Sequence, residues 1–349
     1  MANRGSWLGA KILRAPKTIQ MLSRIKWAQL RARGFKGYLE FRKKCLHNLL
    51  ARKYPHAVQI EPFGGCNIRC SMCFQGRMLL PAGQEELPLE GYRRIIDELS
   101  PVVPYIYLYW RGEPMMHKQL GEMISYAKQR GMYVFTSTNA VLLDESRAIE
   151  FIEAGLDFLL VGFDGASKET YELMRRGARF DQVVRNITRL LELRQRYQAR
   201  LPHVCLQFIV SSVNQCELVS FRRLAEKMGV DSCIEKILDV YQNFENEKLR
   251  TALAPLYVSG VWSKYEARGQ QFQIIRRPLV CEMASRMIIR ADLELALCCY
   301  DMQGEFAIGN ARAGRLLDLW QRPDYSELRE MGRRRKTRLC TNCGEGIQR

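Results

Sequence analysis

Ala57-Val58-Gln59-Ile60-Glu61-Pro62-Phe63-Gly64-Gly65-Cys66-Asn67-Ile68-Arg69-Cys70-Ser71-Met72-Cys73 is the stretch on which the reading of this chain turns. A short alternating run, Ala57 to Glu61, is strand-like, and a glycine pair releases it into a loop holding three cysteines within eight residues. Three thiolates so spaced can wrap one cube of iron and sulfur, for which thiolates are the usual ligands. Three ligands leave the fourth iron open, as a catalytic zinc site keeps a free coordination position. On spacing alone a zinc knuckle stays open as the alternative reading.

Outward from that loop, short apolar runs alternate with longer amphipathic ones. The strand-like runs are Ala57 to Glu61, Tyr105 to Trp110, Met132 to Ser137, Phe158 to Phe163, Val204 to Val210 and Ile234 to Leu238. Helical periodicity covers Leu89 to Leu99, Lys118 to Gln129, Ser146 to Glu153, Phe180 to Arg196 and Cys216 to Met228, with stops at Gly131, Gly155 and Gly229. Six such units predict an α/β fold, a partial (β/α)6 barrel, with its chemistry on the loops at the C-terminal ends of the strands. The predicted organisation is a basic helical arm over residues 1–56, the barrel over 57–240, a linker over 241–277 and a small auxiliary domain over 278–349. In that last part, Met287 to Arg290 and Leu293 to Leu297 are expected to pair as a hairpin, and Leu316 to Met331 to form one helix.

Twelve cysteines in 349 residues are not expected to form a disulfide framework, because a chain this long can bury a sufficient core without staples. Cys66, Cys70, Cys73 and Cys340, Cys343 are clustered, whereas Cys45, Cys205, Cys216 and Cys233 are scattered and read as small buried hydrophobes. The charge is uneven: residues 1–55 carry fourteen Lys or Arg against one acid, Glu40, and so hold +13 of the net +17. With Trp7, Leu8, Ile12, Leu13, Ile19, Leu22, Ile25 and Trp27 between the basic residues, this arm is expected to lie on an anionic membrane surface or to pack with a solvated basic face. Nucleic acid is not favoured as its partner. No apolar run reaches 18 residues and no signal-peptide core opens the chain, which places it in the cytoplasm, at most peripheral on the inner membrane face.

The cysteine loop resembles the CxxxCxxC loop of the radical S-adenosylmethionine (SAM) superfamily, and further motifs follow in that family's order. Gly112-Glu113-Pro114 after the second strand looks like the motif that holds the SAM amino group. Thr138-Asn139 after the third resembles Thr-Asn-Gly, with Ala140 in place of the glycine. Gly162-Phe163-Asp164-Gly165 is similar to Ser-x-Asp-Gly at the fourth, and Arg175 stands where relatives reach the SAM carboxylate. Met72 occupies the place where many members pack an aromatic residue on the adenine, a contact a thioether can also fill. The resemblance implies a 4Fe-4S cluster on Cys66, Cys70 and Cys73, whose open iron chelates SAM, and cleavage of SAM to a 5′-deoxyadenosyl radical.

Downstream, Cys281, Cys298, Cys299 and Cys340-Thr341-Asn342-Cys343 resemble the SPASM extension, or its shortened twitch form. That pattern places a cysteine five residues past a hairpin glycine. Leu293 stands at the glycine, so Cys298 rather than Cys299 is implied as the ligand beside Cys281, Cys340 and Cys343. No cysteine follows Cys343, so the resemblance implies one auxiliary 4Fe-4S cluster, two clusters in all. A structural zinc on the same four thiolates is the alternative.

The implied reaction is oxidation, epimerisation or related remodelling of a small polar substrate such as a sugar or aminocyclitol, with the auxiliary cluster accepting an electron and a flavodoxin or ferredoxin as external donor. Asp164 and Asp301 are the expected acid or base groups. Modification of a peptide or protein is the alternative, and a non-enzymatic iron–sulfur or zinc scaffold a third.

Overall fold

The computed structural model describes residues 43, 53–75, 85–239, 253–259, 263–268, 271–275, 281–306, 308–341 and 343–345. The expected basic arm therefore lies, Lys43 and its last few residues apart, outside the described residues. Among the described residues no helix is long and apolar enough to cross a membrane.

Six parallel strands, β1 (Ala57–Ile60), β2 (Tyr105–Leu108), β3 (Tyr133–Thr138), β4 (Phe158–Gly162), β5 (His203–Val210) and β6 (Ser232–Ile237), pair in sequence order as the partial barrel expected. They alternate with α1 (Leu89–Leu99), α2 (Leu120–Gln129), α3 (Glu145–Glu153), α4 (Lys168–Met174), α5 (Phe180–Arg196) and α6 (Leu218–Met228). The longer helices lay i, i+3/i+4 stripes on the sheet: Tyr92, Ile95, Ile96 and Leu99 in α1, and Val183, Ile187, Leu190 and Leu193 in α5. The helix α4 has no counterpart in the sequence reading. Two turns are too short for a periodic stripe, although Ser167 caps it by accepting the N–H of Thr170.

The sheet does not end with the barrel. After an irregular passage come β7 (Tyr265–Arg268) and β8 (Gln271–Ile274), an antiparallel hairpin inside the expected linker. Next, β9 (Arg286–Ile289) pairs parallel to β1, and β10 (Leu295–Ala296) closes antiparallel on β9 as the expected hairpin. Long-range pairing of β9 with β1 is invisible to local pattern, since both strands are buried runs that any sheet edge would accept. The expected helix from Leu316 is two, α7 (Leu316–Gln321) and α8 (Pro323–Arg333). Pro323 lacks an N–H and forces Arg322 into an extended conformation (ψ 132°), which breaks the ladder.

Aromatic rings fill the lower barrel interior. Tyr105 stacks on Tyr133 with centroids 4.9 Å apart, Phe135 on Phe158 at 4.8 Å and Phe158 on His203 at 5.0 Å, around Ala57, Leu160 and Cys205. This packing leaves polar residues to the upper, C-terminal half. By strand register these are Tyr109, Gln207 and Lys236. Lys236 is reached by solvent yet enclosed by protein, and burial lowers its pKa, as expected of a side chain in a concave interior. The scattered cysteines divide: Cys205 is buried as expected, but Cys216 is exposed and Cys233 half-buried. Cys216 is the middle residue of a 3-10 turn before α6, outside the stripe that packs on the sheet.

His56 sits at the base of the barrel, where its Nδ1–H donates to the Ser285 carbonyl at 2.8 Å. Burial, and then the Arg286 guanidinium, lower its pKa from 6.5 to about 4. A histidine depressed on folding contributes stability above its unfolded pKa and loses it as pH falls toward the folded value. Denaturation between pH 7 and 4 is thus expected to lose on the order of 1–3 kcal/mol through this residue. An equally steep pH slope in His56→Gln would refute that assignment.

Candidate functional site

The first candidate site lies on the loops above β1 to β5. The cysteine loop is held from two sides. On one, the Glu113 N–H donates to the Gly65 carbonyl at 2.8 Å. On the other, the N–H groups of Arg69 and Ser71 donate to the carbonyls of Arg176 and Met174, at 2.7 and 2.8 Å, just past α4. Gly112 is required by this packing, because a Cβ there would stand 1.9 Å from the Phe63 carbonyl oxygen and 2.5 Å from that of Gly65. Gly112→Ala must displace the cysteine loop, and a misplacement near 1 Å is expected to slow SAM cleavage about 100-fold. The rate of 5′-deoxyadenosine formation measures it, and an unchanged rate would contradict the packing argument.

Glu113 is the hub. Its carboxylate is buried and accepts from Thr138 Oγ1 at 2.7 Å, the Met115 N–H at 3.1 Å and the Asn139 N–H at 2.8 Å. Burial raises its pKa while these donors oppose the rise. Asn139 in turn donates through Nδ2 to Asn67 at 2.8 Å, and lies 3.8 Å from Cys66 Sγ. Ala140, standing where the family pattern has glycine, takes a left-handed φ of 58°. The turn is thus kept without the residue that makes it easy.

Arg175 is the second organiser. Its Nε donates to Asp164 at 2.6 Å, its Nη1 lies 3.6 Å from Cys70 Sγ, and a Cβ at Gly162 would stand 1.9 Å from its Nη2. Asp164, fully buried, also accepts the Ile209 N–H at 2.7 Å. Burial raises the Asp164 carboxyl and Arg175 opposes that; the guanidinium stays charged. Met72 is buried in the core cluster that holds Ile68 and Phe74. Burial pushes the Cys66 thiol to about 11 and the Cys70 thiol to about 12, so binding iron must release protons here. Each of Cys66, Cys70 and Cys73 lies within electrostatic range of another, with amide and guanidinium donors turned to two of the sulfurs. Soft thiolate ligands with N–H donors beside them fit an iron–sulfur cluster.

The second site joins the turn after β10 to the end of the chain. The Cys281 N–H donates to the Arg333 carbonyl at 2.9 Å, and Cys340 Sγ lies 3.1 Å from Thr337 Oγ1. Burial raises the thiols of Cys281, Cys298 and Cys343, the last to about 12. Cys298 is within electrostatic range of both Cys340 and Cys343, and Cys343 of Cys281. Cys299 is likewise within electrostatic range of Cys298 and Cys343, and also of Glu345, Arg286 and Tyr109. Leu293, at the pattern's glycine position, has φ 71°, as Ala140 does in its own loop. Among the described residues, no three His, Cys, Asp or Glu side chains form a group that could hold a single metal ion.

Asp164 and Asp301, the expected acid or base groups, are both engaged by protein donors. Asp164 locks Arg175, and Asp301 accepts the N–H groups of Leu297 at 3.1 Å and Glu305 at 2.7 Å, closing the turn that carries Cys298. Sequence reasoning missed Asn67, Glu61, Trp110, Glu345 and Lys236. For Glu61 the signal was present, a carboxylate ending an otherwise apolar strand. For Glu345 and Lys236 there was none, because their roles arise only where distant loops meet.

Comparison with known proteins agrees with this geometry. The radical SAM superfamily profile matches residues 60–206, and that of the SPASM iron–sulfur cluster-binding domain matches residues 281–344. The chain is 22% identical over 317 residues to the tungsten-containing aldehyde ferredoxin oxidoreductase cofactor-modifying protein of Pyrococcus furiosus, covering 81% of this chain and 86% of that one. Its fold is similar to that of BtrN in complex with AdoMet and 2-DOIA (TM-score 0.52, 16% identity, 83% of this chain and 93% of that one). It is also similar to that of Streptococcus suis SuiB bound to the precursor peptide SuiA (TM-score 0.59, 13% identity, 89% and 76%). With two matching profiles in the expected order, the motifs in place on the barrel loops and a shared fold, the chain belongs to the radical SAM superfamily and carries a C-terminal SPASM domain, with a 4Fe-4S cluster and SAM in its core and auxiliary iron–sulfur in that domain.

Proposed function

We propose that this enzyme oxidises or remodels a small polar substrate held in the upper half of the barrel, between the SAM site and the auxiliary domain. In this reading Cys66, Cys70 and Cys73 hold the first cluster, and Cys281, Cys298, Cys340 and Cys343 hold one auxiliary 4Fe-4S cluster. When bound, the first cluster and SAM would supply the chemistry of hydrogen-atom abstraction from the substrate. The observation that carries the reading is the approach of Asn139, held by Glu113, to the Cys66 sulfur and of Arg175 to the Cys70 sulfur.

The chain's own residues have separable tasks. Gly112 lets the Gly112-Glu113-Pro114 turn approach the cysteine loop, and Glu113 with Thr138 and Asn139 forms the wall that receives the SAM amino group. Arg175 presents positive charge beside Cys70 for the SAM carboxylate, with Asp164 fixing its orientation, and Met72 offers an apolar surface to the adenine. Hydroxyl, amide and charged groups line the chamber above the aromatic floor: Tyr109, Gln207 and Lys236 on the walls, with Tyr300 donating to Glu345 at 2.8 Å from the auxiliary side. Such a lining suits a polyol better than an apolar substrate. Asp164 and Asp301 serve as positioning groups. A flavodoxin or ferredoxin is the proposed electron donor.

The test is anaerobic reconstitution followed by 5′-deoxyadenosine release with SAM and a strong reductant, first alone and then with panels of sugars, aminocyclitols and short peptides. Stimulation by a polyol supports the substrate class. Stimulation by peptides alone would replace it with peptide modification, and no SAM cleavage by fully loaded protein would overturn the enzymatic reading.

A further inference from the structure

Two side chains before the Gly112-Glu113-Pro114 turn do work that the SAM site itself does not need. Trp110 donates its indole N–H to the Cys299 carbonyl at 3.0 Å, and Arg111 donates through Nη1 to the Met302 carbonyl at 2.7 Å. The first carbonyl lies within, and the second just after, the turn that starts at Cys298, whose own closure is the Asp301 N–H donating to the Cys298 carbonyl at 3.0 Å. The rest of the Arg111 fork is spent on Glu61, through Nε at 3.0 Å and Nη2 at 2.8 Å. Glu61 has no solvent exposure, and its Oε2 also accepts the Ala291 N–H at 3.3 Å in the β9–β10 hairpin. The Arg111 guanidinium lies 4.7 Å from the centre of the Trp110 ring. One short segment thus joins the end of β1, the SAM-facing turn and the backbone within and just after the auxiliary ligand turn.

We propose that Trp110 and Arg111 are positioning residues for the auxiliary cluster, fixing the Cys298 turn to the SAM loop so that the two cofactor sites form one rigid unit. The inference rests on the reading above in which Cys298 is an auxiliary ligand. Its physical basis is that a cluster's potential depends on the dipoles and donors around its ligands and on solvent access. With the indole N–H removed, the Cys299 carbonyl is released next to the Cys298 ligand and can turn toward it or toward water. An Arg fork on a buried carboxylate holds direction as well as charge, which Lys cannot reproduce.

The test uses full-length protein in two backgrounds, Cys66→Ala/Cys70→Ala/Cys73→Ala to isolate the auxiliary cluster and Cys340→Ala/Cys343→Ala to isolate the first. Trp110→Phe, which keeps the ring and loses only the donor, is added to each. The expected result is a shifted midpoint potential and altered electron paramagnetic resonance signal of the auxiliary cluster, with the first cluster's signal unmoved. Arg111→Lys in the same backgrounds carries the test should Trp110→Phe not fold, and is expected to shift the auxiliary cluster in the same selective way. An unchanged auxiliary potential overturns the proposal, as do equal changes in both clusters, which mark general loosening. Absence of a cluster from the Cys66→Ala/Cys70→Ala/Cys73→Ala parent would overturn the ligand assignment, and this inference with it.

Discussion

Protein in which Cys66, Cys70 and Cys73 are all replaced by Ala is expected to release no 5′-deoxyadenosine from SAM while still binding iron at its C-terminal end. Two 4Fe-4S clusters correspond to about eight irons per chain, and the variant should retain about four. The effect is large because no other described thiol stands in that loop to take a lost ligand's place. Cys205 is packed within the aromatic cluster and Cys216 is exposed. Quantifying iron, sulfide and 5′-deoxyadenosine on one preparation checks it. Residual SAM cleavage at the parent rate would remove the first site from the mechanism, and zinc in place of iron would do the same for the cluster chemistry.

Breaking the Arg175–Asp164 pair should be nearly as damaging, for two separable reasons. Asp164→Ala leaves a buried guanidinium without its counter-ion, which costs about 3–5 kcal/mol of stability. It also frees Arg175 from the 2.6 Å contact that aims it past Gly162 toward Cys70. Arg175→Lys keeps a charge but loses the fork, so it should weaken SAM binding by more than tenfold while sparing much of the fold. Thermal unfolding and SAM titration of the two variants separate the contributions. Wild-type SAM affinity in Arg175→Lys would show that the guanidinium serves the loop rather than the cofactor.

The parts of the site legible in the sequence share one property: each depends on residues near one another along the chain. The three cysteines lie within eight residues, Glu113 follows its own strand, and Thr138-Asn139 follows the next, so a βα reading places them on one rim. The hairpin β9–β10 was readable for the same reason, and Pro323 shows the limit of periodicity, because an apolar stripe continued across a residue that cannot. The departures at Ala140 and Leu293 follow the same logic. Both take the left-handed backbone that glycine would take, so the motif's shape persists where its most informative residue is missing.

By itself the sequence determined the barrel and the three-cysteine loop, because strand and helix periods and cysteine spacing are local signals, and the order of its further motifs carried the resemblance to the radical SAM superfamily. Spacing from Leu293 implied Cys298 as the auxiliary ligand, and Cys298 lies within electrostatic range of Cys340 and Cys343. Only the tertiary structure decided that β9 extends the barrel sheet at β1, that Arg175 and Asp164 are one buried pair beside Cys70, and that Trp110 and Arg111 fasten the SAM loop to the auxiliary turn. Each of these joins segments between about ten and 230 residues apart. Their partners are chosen by desolvation and hydrogen-bond satisfaction in the folded core, quantities that no local window of sequence contains.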